Sequence, residues 1–265
     1  MTELDVRVVA GDGGSATVHW DSSVDTDVLV EAGLIEAITS VAEHALRERG
    51  LRRLEVSLPA SDRAGRRAVL RAGFRWEGLR REAIKLPDGS YGDVAIFARL
   101  ADDLVGGPTG FSGVMNSALP RKRLIAHVLM RDDKGRVLLC ETQFKADWEL
   151  PGGIVEPSES PRIGAMREVR EELGVDLDIG RLLIVDWMPP YLGWDDAIEM
   201  IFDGGTVQEA DLAAWSLQAA EIRSVRLCTL DDARRLITPL AHRRLTIALG
   251  LTPDETAYLE NGREV

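Results

Sequence analysis

Leu150-Pro-Gly-Gly-Ile-Val-Glu-Pro-Ser-Glu-Ser-Pro-Arg-Ile-Gly-Ala-Met-Arg-Glu-Val-Arg-Glu-Glu-Leu-Gly-Val175 is the stretch from which the carboxyl-terminal half of the chain can be read. Ser160 followed by Pro161 marks a helix start, because a serine hydroxyl accepts from free backbone amides and proline suits the first helical position. Gly174 marks its end. Between them Ile163, Met166, Val169 and Leu173 recur at helical spacing and predict an apolar stripe. Glu168, Glu171 and Glu172 stand at i, i+3 and i+4, so their carboxylates project from one side of the same helix. Like charges at that spacing cost an isolated helix about 0.2–0.5 kcal/mol per pair. A hard divalent cation would turn the repulsion into attraction, and Mg²⁺ so bound would engage substrate phosphates and activate water. The alternative is a solvated acidic face. Two neighbours favour the metal: Gly152-Gly153 lets backbone approach a ligand closely, and Arg167 can orient a carboxylate or contact phosphate.

The stretch resembles the Nudix hydrolase family. That family's signature, G-x5-E-x7-R-E-U-x-E-E-x-G-U with U aliphatic, is met by Gly153, Glu159, Arg167, Glu168, Val169, Glu171, Glu172, Gly174 and Val175, nine positions at fixed spacing over 23 residues. The resemblance extends over about 122–250 and includes the lead-in Trp148-Glu-Leu-Pro-Gly-Gly. It implies an α/β/α sandwich with a mixed sheet, crossed by the signature as a loop–helix–loop. It implies that Glu168, Glu171, Glu172 and the Gly152 carbonyl hold Mg²⁺ or Mn²⁺, that Arg167 orients Glu168, and that Glu159 braces the loop through a salt bridge. The implied reaction is hydrolysis of a phosphoanhydride in a nucleoside diphosphate derivative. Glu168 is expected to take the proton, with Glu199, Glu209 or Glu221 as alternatives. Gly164 stands where alanine is common, at a cost to the helix of up to about 1 kcal/mol and with no chemical group touched.

Around this helix the pattern predicts strands over 124–131, 136–141, 182–188, 197–203 and 221–227, with helices near 230–236 and 242–249. Substrate choice falls on Trp187-Met-Pro-Pro-Tyr-Leu-Gly-Trp194, where Trp187, Tyr191 and Trp194 are candidates to stack on a base. Pro190 resembles the ADP-ribose pyrophosphatase pattern and Tyr191 that of dinucleoside polyphosphate hydrolases. The cues conflict, and the balance favours an ADP-ribose or nucleotide-sugar type of substrate.

The first hundred residues predict a small α+β unit: strands near 5–9 and 16–20, a helix over 29–49 ended by Gly50, a strand at 54–58, a helix at 63–72, and strands at 74–86 and 91–100. Gly73-Phe-Arg-Trp-Glu-Gly78 with Arg80-Arg-Glu82 and Leu86-Pro-Asp-Gly89 resembles the carboxyl half of GNAT acetyltransferases. At the place of that family's pyrophosphate loop only Gly33 remains, and Glu31 and Glu36 would repel phosphate. Asp62 and Gly65 replace the usual Asn and Ser. The expectation is a truncated, degenerate GNAT-like domain over 1–104. Arg63, Arg66, Arg67 and Arg71 are expected as a solvated basic helix face, with a local anion site as the alternative. A flexible Gly/Pro/Ser-rich linker is expected over 105–120 and the Nudix domain over 121–265, the amino-terminal unit packing on it or mediating a homodimer.

Composition bounds the rest. A net charge of −12 argues against nucleic acid as the partner. No apolar run approaches a membrane span, and Met1 to Asp12 lacks the pattern of a secretory signal. Cys140 and Cys228 sit in separate apolar runs, read as buried thiols of a reducing cytoplasm. His19, His44, His127 and His242 lack ligand-spaced partners and are expected to be structural or at the surface. Two other functions compete with the hydrolase: a nucleotide-sensing regulator without turnover, and a bifunctional enzyme that also transfers acetyl groups.

Overall fold

The computed structural model describes residues 5–20 and 28–265, residues 28–31 by their backbone alone. Expectations placed on Met1 and on the side chains of Leu29, Val30 and Glu31 lie outside the described residues. The chain is a mixed α/β protein of two compact units, Met1–Pro120 and Arg121–Val265.

The first unit runs β1 (Arg7–Ala10), β2 (Ser15–His19), α1 (Val28–Glu43), β3 (Arg53–Pro59), α2 (Arg63–Arg71), β4 (Arg75–Lys85), β5 (Tyr91–Leu100) and α3 (Gly107–Ala118). Its sheet has the order β1-β2-β3-β5-β4, with β2 and β3 parallel and the other pairs antiparallel. Alternate β3 residues Leu54, Val56 and Leu58 share a core with Leu34, Ile38 and Ala42 of α1. The helix expected to reach Arg49 is α-helical only to Glu43. It then widens into a π-helical turn, His44–Glu48, ahead of Gly50 at φ +66°. Asp62 caps α2 by accepting from the Gly65 amide at 2.8 Å. A Cβ at residue 65 would collide with that carboxylate, so Asp62 and Gly65 are structurally coupled.

The segment expected as a flexible linker is α3, which corrects that expectation. Pro108 falls in the first turn, where a missing N–H costs nothing. The small residues then serve packing. Gly110 is buried, and a Cβ there would strike the backbone of Val105. Gly113 lies against the Arg75 guanidinium, and the Ser117 hydroxyl accepts from the Trp76 amide at 3.0 Å.

The second unit runs β6 (Arg123–Arg131), β7 (Val137–Thr142), β8 (Gly152–Ile154), α4 (Pro161–Leu173), β9 (Leu182–Met188), β10 (Ala197–Thr206), β11 (Ile222–Cys228), α5 (Leu230–Ala233), α6 (Pro239–Gly250), β12 (Ala257–Glu260) and β13 (Arg263–Glu264). The sheet order is β11-β7-β6-β10-β9-β12-β13, with β8 paired to β6. It is mixed, because β6–β10 and β9–β12 are parallel while β10–β9 and β11–β7 are antiparallel. Strand alternation sorts β6 between two layers. Ala126, Val128 and Met130 pack with Ala165, Val169 and Leu173 of α4, and Leu129 packs with Leu245 and Ala248 of α6. The unit is therefore a sheet between helices.

The apolar stripe of α4 is corrected at one position. Ile163 is 59% exposed, and the buried face runs through Ala165, Val169, Glu172 and Leu173. That face follows i, i+4, i+7, i+8, which leaves Ile163 on the outer side of the first turn. Cys140 and Cys228 are buried and unpaired.

Gly174 ends α4 in the left-handed region at φ +70°, and a Cβ there would meet Ser216 at 2.9 Å. Gly174→Ala is expected to lower unfolding free energy by about 2 kcal/mol, from left-handed strain plus crowding. An unshifted denaturation midpoint would contradict this account of the helix end.

Candidate active site

Two glycines bring backbone against the acidic helix. β8 pairs antiparallel with β6 through His127↔Gly152, Ala126↔Gly153 and Ile125↔Ile154. Gly152 adopts φ +133°, where a Cβ would run into the Ala126 carbonyl oxygen. Its amide donates to Glu172 Oε2 at 2.9 Å, so the structure shows the Gly152 N–H, rather than its carbonyl, engaged with the acids. At Gly153 an added Cβ would stand 2.8 Å from Glu168 Cδ. Only glycine leaves room for that carboxylate.

Arg167 organises the remaining acids. Its Nε and Nη2 donate to Glu159 Oε1 and Oε2 at 3.0 and 3.1 Å, a bidentate pair. Nη1 reaches Glu168 Oε1 at 3.0 Å and Glu171 Oε2 at 2.9 Å, while Nη2 also donates to the Ile154 carbonyl at 3.0 Å. The guanidinium thus ties the loop before α4 to two acids of the helix. Gly164 belongs to this bracing, because a Cβ there would meet Glu159 Oε2 at 2.9 Å. The expectation that residue 164 touches no chemical group is corrected.

The electrostatics separate the acids. Hydrogen bonds from Arg167 hold Glu159 below the usual carboxylate range. Burial raises Glu168 despite Arg167, and the charges of Glu171 and Glu221 add to the rise. Burial pushes Glu172 up to about 7, with Glu149 and Glu168 adding to it against the Gly152 amide. Glu168 and Glu172 are therefore acids whose charge the protein compensates incompletely.

Among the described residues no three acidic, histidine or cysteine side chains are already gathered as a metal cluster, because Arg167 spans Glu168 and Glu171 while Glu172 turns to Gly152. The donor set nevertheless fits a hard cation. It supplies carboxylate oxygens only, two of them undercompensated, and Gly153 keeps a side chain out of the space against Glu168.

The substrate-side candidates are dispersed. Trp187 is part-buried, its Nε1 donating to Asp196 Oδ2 at 3.1 Å. Tyr191 and Trp194 close a tight turn, are 72% and 62% exposed, and Arg123 lies 4.5 Å over the Trp194 ring. None of the three lines the cavity of about 240 Å³ on the α6 side of the sheet, whereas Trp148 does. Glu209 pairs with Arg136, and Glu199 is buried with His127 and Arg244. His127 is part-buried beside the cavity and paired with Glu199 at 3.2 Å, a structural placement. Sequence reasoning missed Glu149 and Arg244. The first was legible beside Trp148 in the lead-in. The second was legible only as an arginine on the apolar face of α6.

Residues 121–249 match the family model of the NUDIX domain. This segment is a NUDIX domain. The chain is 32% identical over 118 residues to a CMP-5'-(N-acetyl-N-hydroxy-3-aminopropyl)phosphonate hydrolase of Streptomyces rubellomurinus, covering 42% of this chain and 54% of that protein. It is 41% identical over 61 residues to a CTP pyrophosphohydrolase of Escherichia coli, covering 22% and 44%. The chain spans about half the length of these relatives. A GNAT-family acetyltransferase structure from Bacillus anthracis aligns at 16% identity and a TM-score of 0.34, over 37% of this chain and 58% of that one.

Two outcomes follow from the NUDIX geometry. Gly153→Ala is expected to keep the melting temperature within a few degrees and to weaken Mn²⁺ or Mg²⁺ binding at least tenfold by displacing Glu168; wild-type affinity in calorimetry would refute it. In chelator, Glu172 should make stability fall as pH rises. Its folded pKa of about 7 lies above the ordinary 4.5, so the folded state holds the proton more tightly and loses stability between those values. The loss is on the order of 3 kcal/mol. Glu172→Gln should flatten the slope between pH 5 and 7.5, and parallel slopes for the two proteins would remove the assignment.

Proposed function

We propose that the chain is a Mg²⁺-dependent pyrophosphohydrolase, also served by Mn²⁺, that uses water to split the phosphoanhydride of a nucleoside diphosphate linked to another moiety. The ADP-ribose or nucleotide-sugar type is the favoured class. The observation that carries the reading is the convergence of Gly152, Gly153, Arg167 and Glu168, Glu171 and Glu172 along one side of α4. Glu168, Glu171 and Glu172 would hold the cation, which when bound neutralises charge on the diphosphate and favours attack by water. Glu168 would accept the proton; its part-burial, which raises its proton affinity above the ordinary carboxylate, supports that reading. Arg167 positions Glu168 and Glu171 without leaving Glu159. Glu172, seated on the Gly152 amide, fixes the strand against the helix. The relatives named CTP pyrophosphohydrolase and CMP-phosphonate hydrolase support a nucleotide substrate cleaved by water.

The amino-terminal unit is read as a degenerate GNAT-like accessory domain. Its support is sequence resemblance, together with Asp62, whose carboxylate occupies the amide at the start of α2.

Incubating a panel of nucleoside diphosphate derivatives with Mg²⁺ and weighing the products is the direct test. A nucleoside monophosphate and a phosphorylated partner are expected, with Glu171→Gln and Glu172→Gln each lowering kcat at least 100-fold. Tight nucleotide binding with no turnover across the panel would replace the hydrolase with a sensor.

A further inference from the structure

The last turn of α4 ends in carbonyls that have no partner inside the helix. Gly174 meets one of the last carbonyls, its amide donating to Arg170 at 2.9 Å. Two more are met from outside, by the segment between β10 and β11. There the Ser216 amide donates to the Leu173 carbonyl at 3.1 Å and the Gln218 amide to the Glu172 carbonyl at 2.9 Å. Leu212, Trp215 and Leu217 of the same segment pack against the core under α4. The segment is therefore docked on the end of the helix that carries Glu172.

From that anchor Gln218 builds a tight turn. Its carbonyl accepts from the Glu221 and Ile222 amides, at 2.9 and 2.8 Å, and its side-chain Oε1 accepts from the Ala220 amide at 2.9 Å. The far side of the turn is tied to the end of β7, where the Gln143 amide donates to the Glu221 carbonyl at 2.7 Å. With Oε1 committed to Ala220, the other end of the Gln218 side chain is the amide nitrogen, and it donates to Glu221 Oε1 at 3.4 Å. Among the described residues no cation pairs with Glu221, and Arg223, the nearest basic residue in sequence, pairs instead with Glu141. The charge of Glu221 reaches Glu168, whose proton affinity it raises. A lysine or arginine at residue 218 would fix the Glu221 carboxylate and offset its charge. A neutral amide orients the carboxylate and leaves the charge standing.

Resting on the hydrolase reading above, we infer that Gln218 is a positioning residue: its backbone clamps α4 and its side chain holds Glu221 uncompensated beside the three acids of the helix. In this role Gln218 acts only through Glu221, whose charge strengthens the field that draws a divalent ion to Glu168, Glu171 and Glu172. The backbone clamp fixes where the turn sits, and the side chain fixes where the carboxylate points.

Mn²⁺ titrated calorimetrically into substrate-free protein tests this independently of hydrolysis. Gln218→Asn keeps a side-chain oxygen able to accept from the amide two residues on, as asparagine does in turns. Its nitrogen falls one methylene short of Glu221. Gln218→Asn and Glu221→Gln are each expected to weaken Mn²⁺ binding at least about fivefold, and the double variant no further than Glu221→Gln alone, because residues that act through one another are not additive. Melting temperatures should stay within a few degrees of wild type. A purely structural role for Gln218 would instead make the two losses multiply. Wild-type Mn²⁺ affinity in Gln218→Asn, wild-type affinity in Glu221→Gln, or multiplied losses in the double variant overturns the inference. Should Gln218→Asn unfold, Gln218→Met is carried through the same cycle with the same criteria, and the Glu221→Gln result stands without either. Non-additive losses with no turnover of any diphosphate would overturn the hydrolase reading and leave the assignment of Gln218 standing; turnover with multiplied losses would do the reverse.

Discussion

The carboxyl-terminal unit depends on how one guanidinium distributes a single positive charge among acids. Arg167 faces Glu159, Glu168 and Glu171 within hydrogen-bond range. It cannot neutralise all three, and Glu172 has only a backbone amide. Part-exposed ion pairs of this kind contribute little net stability, so the excess of negative charge is better understood as readiness for a cation than as a stabilising device. The bidentate link to Glu159 is the fixed part of the arrangement. The single contacts to Glu168 and Glu171 are the exchangeable part, able to loosen without releasing the loop from the helix.

The sheet makes this possible by bringing backbone, not side chains, to the acids. β8 is three residues long and is paired to β6 away from the main strand order. A strand this short gains little from its own ladder. Its position is over-determined by two glycines, one that no other residue can replace beside Ala126 and one that would displace Glu168 if enlarged. Closeness between Glu168 and the β8 backbone is thus written as missing atoms. A search for chemical groups alone passes over it.

Legibility followed the range of the interactions. α4 and its caps were readable because they rest on local spacing: Ser160 accepts from the Ile163 amide and Gly174 takes the left-handed turn. β9 was readable to its boundaries, since alternation and length are local too. α3 was not, because glycine, proline and serine read as a loop until Val105, Arg75 and Trp76 show what their small volumes accommodate. β12 and β13 were missed for a related reason: the first is four residues long and gains its pairing from β9, more than sixty positions earlier. The aromatic run 187–194 drew attention as stacking rings, yet Trp187 is committed to Asp196 and Trp194 to Arg123. Ring chemistry was visible in sequence, and its partners were not.

Strand alternation also explains why the acid cluster and the Arg244 cluster can be tuned apart. On β6, Ala126 belongs to the core under α4, and His127, one residue later, lines the cavity under α6. Opposite them on β8 lie Gly153, which makes room for Glu168, and Gly152, whose amide holds Glu172. One pair of neighbouring residues therefore serves two chemistries on two faces. The two helix layers pack on opposite faces of one sheet, α4 against β6, β8 and β10 and α6 against β9. The coupling that remains is electrostatic: His127 lowers the proton affinity of Glu172, while Glu149 raises it.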